Sequence, residues 1–342
     1  MRKANDINAF LASLAKVLTL YLPVDGKAGA TFEEWTDGAT LAKSLNTNRS
    51  PKDFFFPQSE CLMEFRREGK NIEIIDTRRE HEDFAVFGVR ACDARAFAVL
   101  DNVFLGEPTD TYYKNRREHG VIMTLACEKP GTTCFCGTFG IDAADPADGD
   151  ISCRIIDGAL YLDAKTEKGK ALMAKLENIT EDADADTAKV EENIKTIKER
   201  YAKTPLAGLK KDAFGPGKTE KFFNAPEWKE LYESCLGCGT CTFVCPTCQC
   251  YDIKDFDTGH GVIRHRCWDS CMYSDFTKMS AGQPRLTQME RFRQRFMHKL
   301  VYYPERYNGL FSCVGCGRCV QKCPINMNIV KVMKKLGGAD NA

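Results

Sequence analysis

The chain lacks the features by which many functions are first recognised. It has no run of about 18 apolar residues, so no segment is expected to cross a bilayer as a helix. Neither sign of charge dominates, since 48 Lys and Arg meet 48 Asp and Glu. A protein that grips nucleic acid or an anionic membrane carries a basic excess. No G-x-G-x-x-G follows a predicted strand and no P-loop occurs, which removes any recognisable flavin, nicotinamide or nucleotide-phosphate site. Histidine is scarce, and His81, His119, His260 and His265 show no metal spacing. No export signal is read either. The apolar stretch 8–22 is interrupted by Lys16 and no small-residue cleavage site follows. Ile7, Phe10, Leu11, Leu14 and Leu18 recur at helical spacing and predict an amphipathic helix.

What the chain has is cysteine, 18 in 342 residues. That is too sparse, in too long a chain, for a secreted disulfide scaffold. Without an export signal the expected compartment is the reducing cytoplasm, where metal ligation outranks disulfides.

The length suggests about two domains, at roughly 150 residues each. Phe84–Val89 and residues 121–126 are nearly continuous apolar runs, as strands covered on both faces are. Between them a helix is expected over 93–105, with Phe97, Leu100 and Phe104 on one face and Asp93 as N-cap. Strand, helix, strand predicts a parallel crossover. Ile72 with Ile74, and Leu160 with Leu162, alternate as half-buried strands do. The charged stretch 167–201 carries Val190, Ile194, Ile197 and Tyr201 on one face and reads as a surface helix. Pro, Gly and Lys crowd 205–218, the best boundary. A helix is expected to restart at Asn224, with Trp228, Leu231, Tyr232 and Cys235 on one face.

Two segments after that boundary repeat. Cys235-Leu-Gly-Cys238-Gly-Thr-Cys241-Thr-Phe-Val-Cys245-Pro246 and Cys313-Val-Gly-Cys316-Gly-Arg-Cys319-Val-Gln-Lys-Cys323-Pro324 are both C-x2-C-x2-C-x3-C-P. This is the two-cluster ferredoxin run, whose fourth Cys ligates the other cluster. Three thiolates on a tight loop face three irons of one cubane, and Gly237, Gly239, Gly315 and Gly317 let the backbone approach. One [4Fe–4S] cluster is therefore assigned to Cys235, Cys238, Cys241 and Cys323, the other to Cys313, Cys316, Cys319 and Cys245. A zinc pair would use two knuckles of two ligands, without a third Cys three residues on. Pro246 and Pro324 are expected to start helices. Met289, Phe292, Phe296 and Leu300 in the long insert point to an all-helical ferredoxin domain, and a last helix is expected over 325–336.

Ten cysteines remain. Cys92 and Cys127 end the two predicted strands, where open α/β sheets place ligands, and Cys134 and Cys136 follow closely. Spacing alone supports equally a third cluster and four buried, unliganded thiols. Cys248, Cys250 and Cys271 cannot complete a four-cysteine site. Packing is the favoured reading, recruitment of Cys92 the other. Cys61, Cys153 and Cys267 read as structural. Arg285, Arg291, Arg293, Arg295, His298 and Lys299 form a basic run, read first as a solvated helix face and second as compensation for anionic clusters.

These residues resemble a family. Phe54-Phe-Phe-Pro57, Arg90-Ala-Cys-Asp-Ala94 with Leu100-Asp101, Arg116-Arg-Glu-His119, Cys134-Phe-Cys136, Cys245-Pro-Thr-Cys-Gln-Cys250, Trp268-Asp-Ser-Cys271 and His298-Lys299 are together similar to the A-type subunit of anaerobic sulfite reductase and to the β subunit of nickel–iron sulfhydrogenases. The resemblance covers nearly the whole chain. It implies an electron-transfer subunit between a flavin-containing, NAD(P)H-using subunit and a catalytic one. It also implies a third cluster on Cys92, Cys127, Cys134 and Cys136, and makes Cys248, Cys250 and Cys271 less incidental. The expected protein is α+β and multidomain, with an N-terminal α/β docking domain over 1–215 and an all-helical two-cluster domain over 216–342. Anaerobic sulfite reductase is the first expected complex. A soluble nickel–iron hydrogenase and a heterodisulfide-reductase-like complex are the alternatives. A self-contained enzyme with substrate at an incompletely ligated N-terminal cluster, and a redox-sensing protein, are the readings from other classes.

Overall fold

A computed structural model of the chain describes residues 1–42, 46–78 and 82–338, so His81 lies outside the described residues. Strand β1 (Arg2–Ala4) and helix α1 (Ile7–Leu14) precede the hairpin β2 (Thr19–Gly26) and β3 (Gly29–Glu34). A second hairpin, β4 (Ser59–Glu68) and β5 (Asn71–Asp76), is followed by β6 (Phe84–Val89), α2 (Ala91–Phe104), α3 (Thr111–His119) and β7 (Gly120–Leu125). Then come β8 (Ile151–Ile156), β9 (Ala159–Ala164), α4 (Glu167–Ala174), β10 (Glu181–Asp182) and α5 (Thr187–Ala202). One eight-stranded sheet results, in the order β10-β1-β9-β8-β7-β6-β2-β3. Its centre, from β2 through β6 and β7 to β8, is parallel.

Strand β6 shows why a continuous apolar run was needed. Ala85 and Phe87 pack with α1 and α4 residues Phe10, Leu14 and Leu172 on one face. Phe84 and Val86 pack with Phe97, Leu100 and Tyr113 of α2 and α3 on the other. Gly88 then changes the phase. It has φ +79, a Cβ there would lie 2.9 Å from Pro23, and the register with β7 slips at this point. Val89 thereby joins the α2 face instead of repeating the Phe87 side.

Several local expectations change. The first helix ends at Leu14, and Leu20 and Leu22 are buried strand residues of β2. Ile72 and Ile74 lie in β5 but are exposed, whereas Leu160 and Leu162 are buried in β9. Helix α2 starts at Ala91 with Arg90 as N-cap, so Asp93 lies inside the first turn, where a buried arginine claims it. The stretch 167–201 is two helices, and α5 buries only Ile197.

The second half holds α6 (Thr219–Phe223), α7 (Trp228–Glu233) and α8 (Thr240–Phe243), then β11 (Tyr251–Asp257) and β12 (Gly261–Trp268). Helix α9 (Gln288–Met297) runs through a π turn, His298–Tyr302, into α10 (Tyr303–Arg306), and α11 (Arg318–Gln321) and α12 (Ile329–Gly337) complete it. Asn224 ends α6 instead of capping a new helix. This half is not all-helical. Residues 251–268 fold into a hairpin around Thr258-Gly259-His260, with Gly259 at φ +81. Strand β12 then pairs antiparallel with β4, making a four-stranded sheet β11-β12-β4-β5 from both halves of the chain. Arg266 of β12 seals that junction. It is buried against Glu60 of β4 and Asp110, the α3 N-cap, and Glu60 also takes Arg116.

Candidate iron–sulfur centres

The two cysteine runs fold alike because the same residues are forced at the same places. Gly237, Gly239, Gly315 and Gly317 all have φ between +60 and +78, the left-handed region that a Cβ disfavours. Gly239 and Gly317 are the N-caps of the one-turn helices α8 and α11, which carry the third cysteines, Cys241 and Cys319. Cys245 and Cys323 follow where the chain leaves those helices. Pro246 and Pro324 begin turns, not helices, and the last helix waits until Ile329, where the Asn328 side chain caps it.

Cys245 has crossed to the other run. It lies in electrostatic reach of Cys313, Cys316 and Cys319. Cys241 faces Cys235 of its own run and Cys319 of the other. Cys238 is the exposed member, with Thr240 Oγ1 3.4 Å from its sulfur. Cys235 accepts the Gly237 N–H at 3.5 Å, and Cys323 accepts that of Met327 at 3.2 Å.

The N-terminal set also converges. Cys92 sits in the first turn of α2, just past β6, and faces Cys136 and Cys316. Cys127 follows β7 and faces Cys134, while Cys136 faces both. The loop bearing Cys134 and Cys136 lies directly on the second run. The Phe135 N–H donates to Gly315 O at 2.8 Å, and Asn46 Nδ2 joins Cys316 O to Cys134 Sγ, at 3.1 and 3.6 Å. A Cβ on Gly315 would stand 2.4 Å from Phe135 O, and one on Gly317 2.5 Å from Thr133 O. The α2 turn is fixed to the same run by Asp93 and Arg318, a fully buried bidentate pair at 2.5 and 2.7 Å.

Burial pushes these thiols up: Cys136 and Cys313 to about 12, Cys241 to about 11, and Cys92, Cys127 and Cys319 upward. As free groups they hold their protons, so ligation must displace them. Two ligand thiols go the other way: Cys245, held well below the ordinary thiol range by Cys248 beside it and by Lys299, and Cys238, lowered by its hydrogen bond with Thr240.

The basic run is not a solvated face where it matters. Arg295 and Lys299 are each 3% exposed and turned toward cysteines. Lys299 faces Cys245, Cys248 and Cys313, and Arg295 faces Cys241, Cys319, Cys248 and Cys245. Lys52, 2% exposed, comes from the N-terminal half and faces Cys248 and Cys245. Sequence reasoning missed Lys52, and nothing in its neighbourhood of the chain signalled it. It read Tyr201 only as part of the apolar face of a surface helix, but its hydroxyl accepts the Gly137 N–H at 2.6 Å beside Cys136. Cys248, Cys250 and Cys271 are neighbours: Cys245 touches Cys248, and Cys250 touches Cys271. Cys153 is buried in the sheet, and Cys61 and Cys267 sit in β4 and β12.

The donor set fits anionic iron–sulfur clusters. Buried cations without a carboxylate partner need a negative neighbour. The Nε of Arg295 has no hydrogen-bond partner at all. Among the described residues no three His, Cys, Asp or Glu side chains close around a single metal ion. No helix of the described residues is long and apolar enough to cross a membrane.

Comparison with known proteins agrees with the site. Residues 234–327 match the 4Fe-4S dicluster domain. Over 333 residues, 96% of this chain and 95% of its relative, the sequence is 32% identical to the sulfhydrogenase 2 subunit beta of Pyrococcus furiosus. No solved structure matches the chain.

Proposed function

The chain belongs to the sulfhydrogenase β-subunit family and is an iron–sulfur electron-transfer subunit, and from that premise we propose that it is a three-cluster relay serving a nickel–iron catalytic subunit. A [4Fe–4S] cluster, when bound, supplies one-electron chemistry at a potential set by its surroundings. The residues do the rest. Cys235, Cys238, Cys241 and Cys323 hold one cluster, Cys313, Cys316, Cys319 and Cys245 the second, and Cys92, Cys127, Cys134 and Cys136 the third. Arg295 and Lys299 offset the charge of the first two. Tyr201 and the Gly137 backbone steady the outer edge of the third. Cys238, exposed, marks the surface where electrons pass to or from a neighbour.

The observation that carries this reading is the seating of the Cys134–Cys136 loop on the second run through Gly315 and Gly317. There the loop and the run meet backbone to backbone with no side chain between them, which supports a third cluster close to the second. The catalytic partner is argued from the relative, which is named as a sulfhydrogenase subunit. That favours a nickel–iron enzyme over the siroheme sulfite reductase expected from the sequence. A flavin subunit that uses NAD(P)H is proposed as electron donor or acceptor on the other side, in the cytoplasm.

The test is a tag on this chain and an anaerobic pull-down from the native host, with an optical spectrum and a nickel assay. Nickel without siroheme is expected. Siroheme without nickel would transfer the relay to a sulfite reductase.

A further inference from the structure

Six cysteines have no part in that relay, and three of them, Cys248, Cys250 and Cys271, lie among buried cations. Cys248, Cys250 and Cys271 come from two loops that are tied together. The Asp269 N–H donates to Cys250 O at 2.9 Å, holding the Cys271 loop against the Cys250 strand. Ser270, fully buried, accepts from Thr242 Oγ1 at 2.8 Å, which pins the same loop to α8 beside Cys241. Lys52 fixes the third member, its Nζ donating to Cys248 O at 2.8 Å and lying 3.8 Å from the Trp268 ring.

Three cations face this pocket: Lys52, Arg295 and Lys299. Their polar partners are neutral, being Cys248 O, Cys241 O, Thr247 Oγ1 and Ser312 O. Among the described residues none of the three forms an ion pair with a carboxylate. Arg295 Nε and Ser312 Oγ are buried without any hydrogen-bond partner. The second ferredoxin cluster answers part of this positive charge through Cys245. Lys52 looks past it to Cys248 first. Arg295 and Lys299 answer the first two clusters as well, whereas the negative neighbours of Lys52 are Cys248, Cys245 and Asp53. Buried cations held by neutral oxygens need negative charge close by, and thiolates of Cys248, Cys250 and Cys271 on an anionic cluster supply it.

We propose that Cys248, Cys250 and Cys271 hold a further iron–sulfur cluster, of which one iron carries no cysteine. The further thiols that reach this set are Cys245, beside Cys248, and Cys241, in reach of Cys271, and both are taken by the assignments to the second and first clusters. The loops that carry Cys250 and Cys271 border solvent. The residues that flank Cys250 and Cys271, namely Tyr251, Asp252, Asp269 and Met272, also line a cavity of about 640 Å³ open to solvent. The ligand class at that iron is a small exogenous oxygen or sulfur donor, water being the simplest. The proposal goes beyond the relay, and takes from it only that Cys245 and Cys241 belong to the two ferredoxin clusters.

A cubane with three protein thiolates loses its fourth iron on mild oxidation. Ferricyanide takes one electron, one ferrous ion leaves, and a [4Fe–4S]2+ core becomes [3Fe–4S]+, which has a characteristic EPR signal. The experiment uses the full chain in its native complex, purified anaerobically, with ferricyanide as probe. The wild type should give the three-iron signal and release about one iron per chain. Cys248→Ser and Cys271→Ser should each lack that signal and contain about four iron and four sulfide fewer. Unchanged iron in both variants overturns the proposal. Should the variants fail to accumulate, the wild type decides: no three-iron signal, or alkylation of Cys248, Cys250 and Cys271 in the iron-loaded protein, overturns it. Cys316→Ala is the control, since full iron retained there would instead overturn the ferredoxin assignment.

Discussion

Asp93 and Arg318 are buried together and hydrogen-bonded twice, so neither can be removed alone without stranding the other. Arg318→Met should cost about 3–5 kcal/mol, the range for leaving one member of a buried pair unpaired. A urea midpoint that moves by less than about a tenth of its value would show that water reaches Asp93. Cys316→Ala should lose about four iron per chain and stop electron transfer; unchanged iron content and turnover would refute the ligand role. His298 gives a prediction in pH. Burial first, then Lys299 and Arg285, lower it from 6.5 to about 4. The unfolded chain therefore takes up a proton between those values that the folded chain refuses, and stability falls as pH drops through that window. His298→Gln removes this term, so the stability difference, variant minus wild type, should grow from about pH 6.5 down to about pH 4. A parallel pair of pH–stability curves would rule it out.

Elements repeat in this protein without repeating their surroundings. The second position of each C-G-x-C turn is a left-handed glycine, but a Cβ on Gly317 would meet Thr133 backbone at 2.5 Å while one on Gly239 would meet the tip of Tyr273 at 2.6 Å. A backbone cannot step aside and an exposed tyrosine can. Gly317→Ala should add the displacement of the 131–136 loop to the αL strain of about 1–2 kcal/mol, and Gly239→Ala only the strain. Melting temperatures and iron counts of the two variants check this, with equal losses refuting it. The sequence motif makes the two glycines look equivalent, because spacing records the covalent neighbours and not the packed ones. The same limit hid the β11–β12 hairpin. Its apolar positions, Ile253 and Phe256, are exposed, so they do not trace a buried strand face, and its partner strand β4 is some 200 residues earlier. Strands β6 and β7, by contrast, were legible from residues 84–89 and 121–126 alone. Burial on both faces imprints a continuous apolar run that no other local structure of that length explains.

At the scale of the molecule, the main apolar core belongs to neither half. Ala91, Phe135 and Phe139 share it with Trp228, Phe292, Val314 and Met333. The four-stranded sheet likewise joins β4 to β12. Residues 1–215 and 216–342 made as separate chains should each expose this core and bind a dye such as ANS, and a cooperative unfolding transition in either fragment would argue otherwise. The cysteine chemistry of the second half was legible because thiolate ligation to a cubane imposes fixed covalent spacing. Of the counter-charges, Arg295 and Lys299 were read only as the second meaning of the basic run, and Lys52 not at all, because it meets its thiols through tertiary packing, which places no constraint on sequence separation. That separation has a consequence in time. Asp93 and Arg318 are 225 residues apart, so at a synthesis rate of roughly 5–20 residues per second the arginine emerges about 11 to 45 s after its partner. Through that interval the Cys92 turn and the Cys134–Cys136 loop have no ferredoxin run to close over them. Of the thiols assigned to clusters, the first made therefore wait longest for their cover.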